Sequence, residues 1–299
     1  MLATLAAALA LAAPAAGPAT QIARALVTAP AGGARAAAAT RAFVGAPYAP
    51  SPLGEGAGRD PDPRFRLDAF DCMTLVETAV ALGSASSLAE TRVALDDVRY
   101  SGAPTYAARN HEVLSQWIPA NVAKGFIAEA TAALPRGARR AVKEYTPASW
   151  DSVRAAGRAI PGLPRARLPL GRFEVGLVSP DEAPAVAARL PEGAIVFVVR
   201  TDAPERATRI THAGLVVHGR GGVALVRHAT SSRGVSRVIE EPIERFVRRE
   251  ARAFPRWPLD GLAFFEILDA TLRVRALSAP GAPRGTQGGP PPAYPAAGL

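Results

Sequence analysis

Residues 70–83 read FDCMTLVETAVALG and carry the strongest helix signal in the chain. Asp71 is suited to cap the start of this helix, and Gly83 is suited to end it. Its apolar residues recur at helical spacing and predict a buried stripe: Leu75, Val76, Ala79, Val80 and Leu82. The only cysteine, Cys72, falls in the first turn, where unpaired backbone N–H groups and the helix dipole favour an anion and lower the pKa of a thiol. A lone cysteine is often an inert core residue, so a catalytic role requires partners.

The chain around this helix divides into helices first and strands afterwards. Helices are predicted over residues 21–44, with a break at residues 30–33, and over residues 88–98 and 106–134. Residues 149–190 are rich in Pro and Arg and are predicted to be irregular apart from one strand over residues 172–178. Further strands are predicted over residues 194–200, 212–218, 223–229, 235–240 and 262–268. This order indicates an α+β fold, with N-terminal helices packed on a C-terminal antiparallel sheet.

Composition excludes several classes of protein. The net charge is +9, but the arginines are dispersed and no basic run is interleaved with aromatic residues, so a solvated basic surface is favoured over nucleic-acid binding. One cysteine excludes an internal disulfide and a multi-cysteine metal site. The four histidines do not form the HExxH motif of zinc hydrolases. We therefore predict neither a metal nor an organic cofactor.

The two ends of the chain differ in composition from its middle. Residues 1–19 combine an apolar stretch with small residues suited to cleavage and predict a signal peptide, although no Lys or Arg precedes the apolar run. The alternative is an Ala-rich cytosolic helix. The run is too short for a membrane span, so we predict an exported periplasmic or cell-envelope protein without stable membrane insertion, acting as a monomer. Residues 20–275 form the predicted domain, and residues 276–299 form a Pro/Gly-rich tail predicted to be disordered.

Two histidines lie on neighbouring predicted strands joined by a glycine-rich turn. A loop over residues 219–221 pairs His218 with Gly222 and places His212 directly opposite His228. Opposed residues have Cβ atoms about 5 Å apart, so one imidazole can orient the other. A turn at residues 221–222 instead breaks this alignment. His218 is predicted to be a surface histidine at the turn.

Four segments occur in an order that resembles a known family. They are FDCMTLVE (residues 70–77), RNHEVLSQWI (109–118), THAG (211–214) and RHATSSRGV (227–235). Together they resemble the N-acetylmuramoyl-L-alanine amidase-like family of the NlpC-type papain-like cysteine peptidases, with similarity over residues 41–268. The sequence departs from that pattern where Glu192-Gly193-Ala194 replaces the Gly-Asp that often opens the strand before the histidine.

The resemblance implies a papain-like fold with the nucleophile at a helix start. It implies Cys72 as nucleophile, His212 as general base and acid, and His228 as the residue that orients the His212 ring. A backbone N–H at or beside Cys72 would meet the oxyanion. It also implies that Tyr48, Asp71 and Thr74 contact the substrate. Arg109, Asn110 and His111 form a polar cluster before a predicted apolar helix and are candidates to bind a carboxylate or a sugar. Helix capping is the alternative for Asp71 and for the cluster at residues 109–111, and a structural role is the alternative for Thr74.

By the same resemblance, the reaction is hydrolysis of the amide between N-acetylmuramic acid and L-alanine in peptidoglycan fragments, including 1,6-anhydro forms, through a cysteine thioester. One alternative is a γ-D-glutamyl-diaminopimelate endopeptidase of the same fold. Another is a non-catalytic exported protein that binds the wall. No sequence feature decides which peptidoglycan bond is cut.

Overall fold

The computed structural model describes residues 17–130, 133–134 and 138–281. Most of the predicted leader over residues 1–19 lies outside them, and the first described helix begins at Pro18. The predicted tail over residues 276–299 also lies mostly outside, and the last described helix continues into its first residues, to Ser278. Within the described residues, no helix is both long enough and apolar enough to cross a membrane.

The N-terminal part of the structure is helical, as predicted. Its helices are α1 (Pro18–Thr28), α2 (Gly33–Thr40), α3 (Cys72–Gly83) and α4 (Leu88–Arg99). The break between α1 and α2 contains Gly32, which has a φ of +84°. A Cβ at Gly32 would also lie 2.8 Å from the backbone oxygen of Ile267. The break therefore requires glycine because of its backbone conformation and because another chain segment approaches closely.

The single long helix predicted over residues 106–134 is wrong. The structure has a 3₁₀ turn at Tyr106–Ala108, a π turn at Val113–Trp117, the short helix α5 (Ile118–Ala123) and the strand β1 (Ile127–Glu129). Gly125 has a φ of +74° just beyond α5, which suits the end of the helix. The strand exists because Ile127 and its neighbours pair with a strand near the C-terminus, and this long-range pairing overrides local helix propensity.

The remaining elements follow after residue 138. They are β2 (Arg139–Tyr145), α6 (Pro147–Ala155), β3 (Gly171–Leu177), α7 (Ala183–Ala187), β4 (Ala194–Arg200), β5 (Ile210–His218), β6 (Ala224–Thr230), β7 (Arg237–Pro242), α8 (Ile243–Ala253), β8 (Leu259–Ile267) and α9 (Thr271–Ser278). Each strand predicted from residue 172 onward is confirmed, with bounds shifted by a few residues. The elements β2, α8 and α9 were not predicted, and the region over residues 149–190 that was predicted to be mostly irregular contains most of α6 and all of α7.

A six-stranded antiparallel sheet in the order β1-β8-β4-β5-β6-β7 forms the centre of the fold, and β2 pairs with β3 separately. One sheet face packs on α3 through residues such as Phe197 and Leu215. The other face lies under α7 and α8, where Val226 packs in the same cluster as Phe246. This arrangement confirms the predicted α+β class with helices packed on an antiparallel sheet.

Helix α3 is buried on all sides from Thr74 to Gly83, which is wider than the predicted apolar stripe. It packs against α2, α4 and β5. Its end approaches the α1–α2 break so closely that a Cβ at Gly83 would lie 2.8 Å from the backbone oxygen of Gly32. Surrounding elements therefore hold the start of α3 in a fixed position against the sheet.

The register of the β5–β6 hairpin differs from the prediction. His218 pairs with Ala224 rather than with Gly222, two residues further along β6. Side chains alternate between the faces of a sheet, so a shift by two residues keeps every side chain on its predicted face. His212 and His228 are consequently diagonal neighbours on one face instead of directly opposed residues.

Candidate active site

Asp71 fixes the start of α3. Its Oδ1 accepts a hydrogen bond from the Thr74 backbone N–H at 2.7 Å, while the Asp71 N–H donates to Thr74 Oγ1 at 2.9 Å. Its Oδ2 accepts from the backbone N–H of Ser51 at 3.0 Å. This reciprocal capping box, joined to the preceding loop, sets the position of Cys72. The structure thus brings Asp71 and Thr74 next to Cys72 in the capping role considered for Asp71.

The Cys72 thiol is neutral at rest. Burial, the larger cause, and the adjacent Asp71 carboxylate together raise the pKa of Cys72 to about 12. The backbone N–H groups of Ala213, Met73 and Cys72 itself bond to the sulfur and act in the opposite direction. The expected lowering of the thiol pKa at the helix start is wrong, because loss of solvation outweighs the helix terminus. The Ala213 contact places the sulfur against β5, at the residue that follows His212 in the sequence.

An Asp71→Asn variant is expected to lower the pKa of Cys72. Asparagine caps a helix about as well as aspartate, so the variant removes the negative charge beside the thiol and retains the fold. Alkylation by iodoacetamide at pH 9, followed by the mass of the intact protein, should be faster than in the unmodified protein. Equal rates would contradict the electrostatic role of Asp71. Asp71→Ala is the control for capping, since it also removes the charge but costs about 1 kcal/mol of stability.

His212 and His228 form a hydrogen-bonded pair. Nε2 of His212 lies 3.0 Å from Nδ1 of His228, and the two rings are nearly perpendicular, at 86°. Phe246 on α8 packs against both rings, with centroid distances of 5.8 Å to His212 and 5.2 Å to His228. Because Phe246 closes one side of the pair, the rings have little room to rotate.

Both imidazoles are neutral at rest. Burial lowers the pKa of His212 well below the usual histidine value, and His228, Arg249 and Arg200 lower it further. Burial also lowers the pKa of His228, although its hydrogen bond with Glu241 acts against that change. A neutral imidazole has a lone pair on one ring nitrogen and can act as a base.

Gly214 allows strands β5 and β6 to approach closely beside the His212–His228 pair. It follows His212 and Ala213 on β5, and a Cβ there would lie 2.8 Å from Val226 Cγ1 and 2.9 Å from the Arg227 backbone oxygen. The same atom would lie 3.0 Å from His228 Cβ. The glycine of the THAG segment therefore allows β6 to bring His228 across to His212.

Gly214→Ala is expected to lower the free energy of unfolding by about 1–3 kcal/mol, because the added methyl group meets backbone atoms that cannot move aside. It should also separate the two imidazoles and reduce kcat/KM for a peptidoglycan substrate by about tenfold or more. Denaturant titration and steady-state kinetics measure the two effects.

Gly219→Ala in the same hairpin is the control, since its nearest neighbour is the flexible tip of Leu225, at 3.1 Å. A Gly214→Ala protein that matches the unmodified protein in both measurements would show that the close approach is unimportant.

The sequence matches a known protein family. A model of the AmiA-like family, described as N-acetylmuramoyl-L-alanine amidase-like, matches residues 38–253. The chain belongs to this amidase-like family. No curated protein matches the sequence at a significant level.

Solved structures share the fold of this amidase-like protein. A DUF1460 protein from Legionella pneumophila str. Philadelphia 1 is 20% identical with a TM-score of 0.63, and the match covers 85% of this chain and 90% of that one. An N-acetylmuramoyl-L-alanine amidase from Bacteroides uniformis is 19% identical with a TM-score of 0.58, and the match covers 83% of this chain and 100% of that one. At these identities the likeness concerns the fold.

Tyr48 lies beside the candidate nucleophile of this amidase-like protein. Burial raises the pKa of the Tyr48 phenol, and the nearby Cys72 and Asp71 raise it further, while a hydrogen bond with Ser231 lowers it. A backbone hydrogen bond from Tyr48 to the Ser236 oxygen, 3.0 Å long, fixes the segment. The structure thus brings the predicted Tyr48 to Cys72. It adds Ser231, in the loop after β6, which the sequence analysis did not single out.

The predicted substrate-binding residues Arg109, Asn110 and His111 have partners within the protein. Arg109 Nε donates to Glu55 Oε1 at 2.8 Å, and its Nη2 donates to Asp60 Oδ2 at 2.7 Å. The Asn110 side chain accepts from Ser101 at 2.7 Å, and His111 Nε2 lies 2.6 Å from the Tyr106 backbone oxygen. Arg109 holds the loop that contains Glu55 and Asp60, and these contacts favour a structural role for the cluster over direct substrate contact.

His218 is separate from the pair of His212 and His228. Its Nδ1 lies 2.9 Å from Glu192 Oε2, and the Glu192 carboxylate also accepts from the His218 backbone N–H. The side chain is 23% exposed, in agreement with the predicted place near the turn.

A carboxylate that sequence reasoning missed lies behind His228. Glu241 Oε1 is 3.0 Å from His228 Nε2 and 3.0 Å from Arg249 Nη2. Its Oε2 is 3.3 Å from Arg245 Nε. The register of β6 with β7 places Glu241 on the same face as His228, but no local pattern in the sequence indicates that register. Among the described residues, no group of three or more His, Cys, Asp or Glu side chains is arranged to hold a metal ion.

Proposed function

We propose that this amidase-like protein is a papain-like cysteine hydrolase. In this proposal it cleaves the amide between the lactyl group of N-acetylmuramic acid and L-alanine in peptidoglycan fragments, including 1,6-anhydro forms. The observation that carries the proposal is the contact of the Cys72 sulfur with the N–H of Ala213, the residue that directly follows His212 of the hydrogen-bonded His212–His228 pair. Membership of the amidase-like family supports the choice of substrate.

The proposed reaction begins with a neutral thiol and a neutral imidazole. His212 takes the Cys72 proton as the sulfur attacks the lactyl carbonyl, which forms the carbon–sulfur bond and moves charge onto the carbonyl oxygen. A backbone N–H at or beside Cys72 donates to that oxygen. The His212 imidazolium then gives its proton to the departing L-alanine nitrogen, and the carbon–nitrogen bond breaks to leave a thioester.

The second half of the reaction releases the enzyme. Water gives a proton to His212 and attacks the thioester carbonyl, and the carbon–sulfur bond breaks as the lactyl carboxylate forms. The proton on His212 returns to Cys72, which restores the starting state. His228 orients the His212 ring throughout, and the chemistry uses no metal or organic cofactor.

We also propose that the protein is exported and acts in the periplasm or cell envelope as a monomer. The apolar composition of residues 1–19 and a peptidoglycan substrate both support export. A net charge of +9 favours approach to anionic wall polymers.

Defined muropeptides with and without the 1,6-anhydro group, followed by mass spectrometry of the products, test the proposal. A free stem peptide and a peptide-free sugar are the expected products. A cut after D-glutamate would assign the endopeptidase activity instead. Absence of any cleavage would overturn the enzymatic proposal in favour of a wall-binding protein.

A further inference from the structure

The hydrogen-bond chain that begins at His212 continues beyond His228. His212 Nε2 lies 3.0 Å from His228 Nδ1, and His228 Nε2 lies 3.0 Å from Glu241 Oε1. The chain thus crosses three strands, from β5 through β6 to β7. The His228 side chain is fully buried and that of Glu241 is 6% exposed. Each hydrogen bond in such a buried network needs one donor and one acceptor, so the protonation of one group determines that of the next.

Glu241 is ionised and can only accept hydrogen bonds. Burial alone would raise the pKa of this carboxyl, but its hydrogen bond with His228 and the charges of Arg249 and Arg245 hold the pKa below its usual value. A carboxylate has no proton to donate. His228 must therefore carry its proton on Nε2, facing Glu241, whenever the imidazole is neutral.

The position of the His228 proton determines the position of the His212 proton. A neutral His228 with its proton on Nε2 has a lone pair on Nδ1, which accepts from His212 Nε2–H. His212 then has its own lone pair on Nδ1. We propose that Glu241 is a positioning residue that fixes the tautomers of both imidazoles and leaves Nδ1 of His212 as the base for Cys72. The inference rests on the proposed cysteine mechanism and deepens it.

Removal of Glu241 would reverse which imidazole donates and which accepts in the hydrogen bond between His212 and His228. Arg249 Nη2 lies 3.5 Å from His228 Nε2 and is a donor. Without the carboxylate, Arg249 is the group available to Nε2, so the His228 proton moves to Nδ1. His228 then donates to His212 Nε2, and the His212 proton occupies Nδ1, where it blocks the base.

The other charged groups around the His212–His228–Glu241 network keep their partners when Glu241 is replaced. Arg249 also contacts Glu250 at 3.2 Å, and Glu250 pairs with the buried Arg200 at 3.1 Å. On the side of α3, Asp71 is held by its capping bonds. Arg245 is 75% exposed at its side chain and can move into solvent when Glu241 changes. The effect on the imidazoles therefore comes from the loss of the acceptor at Glu241.

Ring-nitrogen NMR of the ¹⁵N-labelled protein at neutral pH tests the tautomers directly. The chain has only four histidines, and His→Gln variants at His111 and His218 simplify the assignment. We expect the Nε2–H tautomer for both His212 and His228. An Nδ1–H tautomer at either residue in the unmodified protein would overturn the inference.

Glu241→Gln, Glu241→Leu and a matched control, Glu240→Gln, extend the test. The glutamine carbonyl can replace Oε1 between His228 and Arg249, so this variant should keep both tautomers and lose less than about tenfold in kcat. Glu241→Leu should show Nδ1–H at both histidines and a kcat lower by about 10²–10⁴-fold, with a smaller change in KM. Unchanged tautomers in Glu241→Leu would contradict the inference, and the unmodified and Glu241→Gln spectra decide the matter even where Glu241→Leu does not fold.

The control residue Glu240 precedes Glu241 on β7 but pairs with Arg227, at 2.6 Å. Its replacement should change neither the tautomers nor kcat. The tautomers are read in the resting protein without substrate, so they are independent of the reaction. Nε2–H tautomers without hydrolysis of any muropeptide would contradict the proposed function, whereas hydrolysis with Nδ1–H tautomers would contradict the role of Glu241 alone.

Discussion

Replacement of Cys72 with alanine is expected to abolish hydrolysis of muropeptides, with a fall in kcat/KM on the order of 10⁵–10⁶-fold. The variant removes the atom that forms the thioester, and no second cysteine in the chain can replace it. Product formation followed by mass spectrometry over long incubation measures the residual rate. Alanine retains the Cβ and removes only the sulfur, so the variant should unfold within a few degrees of the unmodified protein.

Two further variants sharpen this test. Cys72→Ser retains a hydroxyl of similar size but a weaker nucleophile, and should also be inactive. His218→Ala changes a histidine on the same strand as His212 that is bound to Glu192, and it should remain active. Activity of Cys72→Ala within about tenfold of the unmodified protein would contradict a cysteine mechanism.

Alkylation of Cys72 in the absence of substrate is expected to be slow at neutral pH and to rise about tenfold per pH unit up to the thiol pKa. Only the thiolate reacts, and burial with the Asp71 charge raises the pKa of Cys72 to about 12. Against a free thiol with a pKa near 8.5, the rate at pH 7 should be lower on the order of a thousandfold. Iodoacetamide with intact-mass detection reports on this one cysteine alone.

His212→Ala is the informative control for this profile. His212 is neutral at rest, so its removal should leave the alkylation profile almost unchanged although it abolishes hydrolysis. A plateau of alkylation near neutral pH that disappears in His212→Ala would instead indicate a thiolate–imidazolium pair in the resting protein, and would contradict the neutral pair.

The meeting of His212 and His228 could be predicted from sequence because its signals are local. The capped start of α3 follows from the residues after Asp71, and the strands with His212 and His228 follow from apolar runs around a glycine-rich turn. The predicted register was wrong by two residues, yet the histidines meet because an even shift preserves the face of each side chain. A shift by one residue would have separated them.

Properties set by distant segments could not be predicted. The acceptor role of Glu241 depends on how β7 pairs with β6 and on how α8 brings Arg249 against it. The thiol pKa depends on how deeply the sulfur is buried against β5, which the helix-terminus argument omits. The strand β1 was mistaken for helix because its pairing partner lies more than a hundred residues away, at Ile267.

The raised pKa of Cys72 also bears on how the protein resists oxidation. Peroxides attack thiolates rather than thiols, and the first product, a sulfenic acid, proceeds to irreversible acids when no second thiol intercepts it. This chain has no second cysteine to do so. A sulfur that stays protonated until a substrate reaches it resists such oxidation without a second thiol. A substitution that lowered the pKa of Cys72 would make the thiol more reactive and also more easily oxidised.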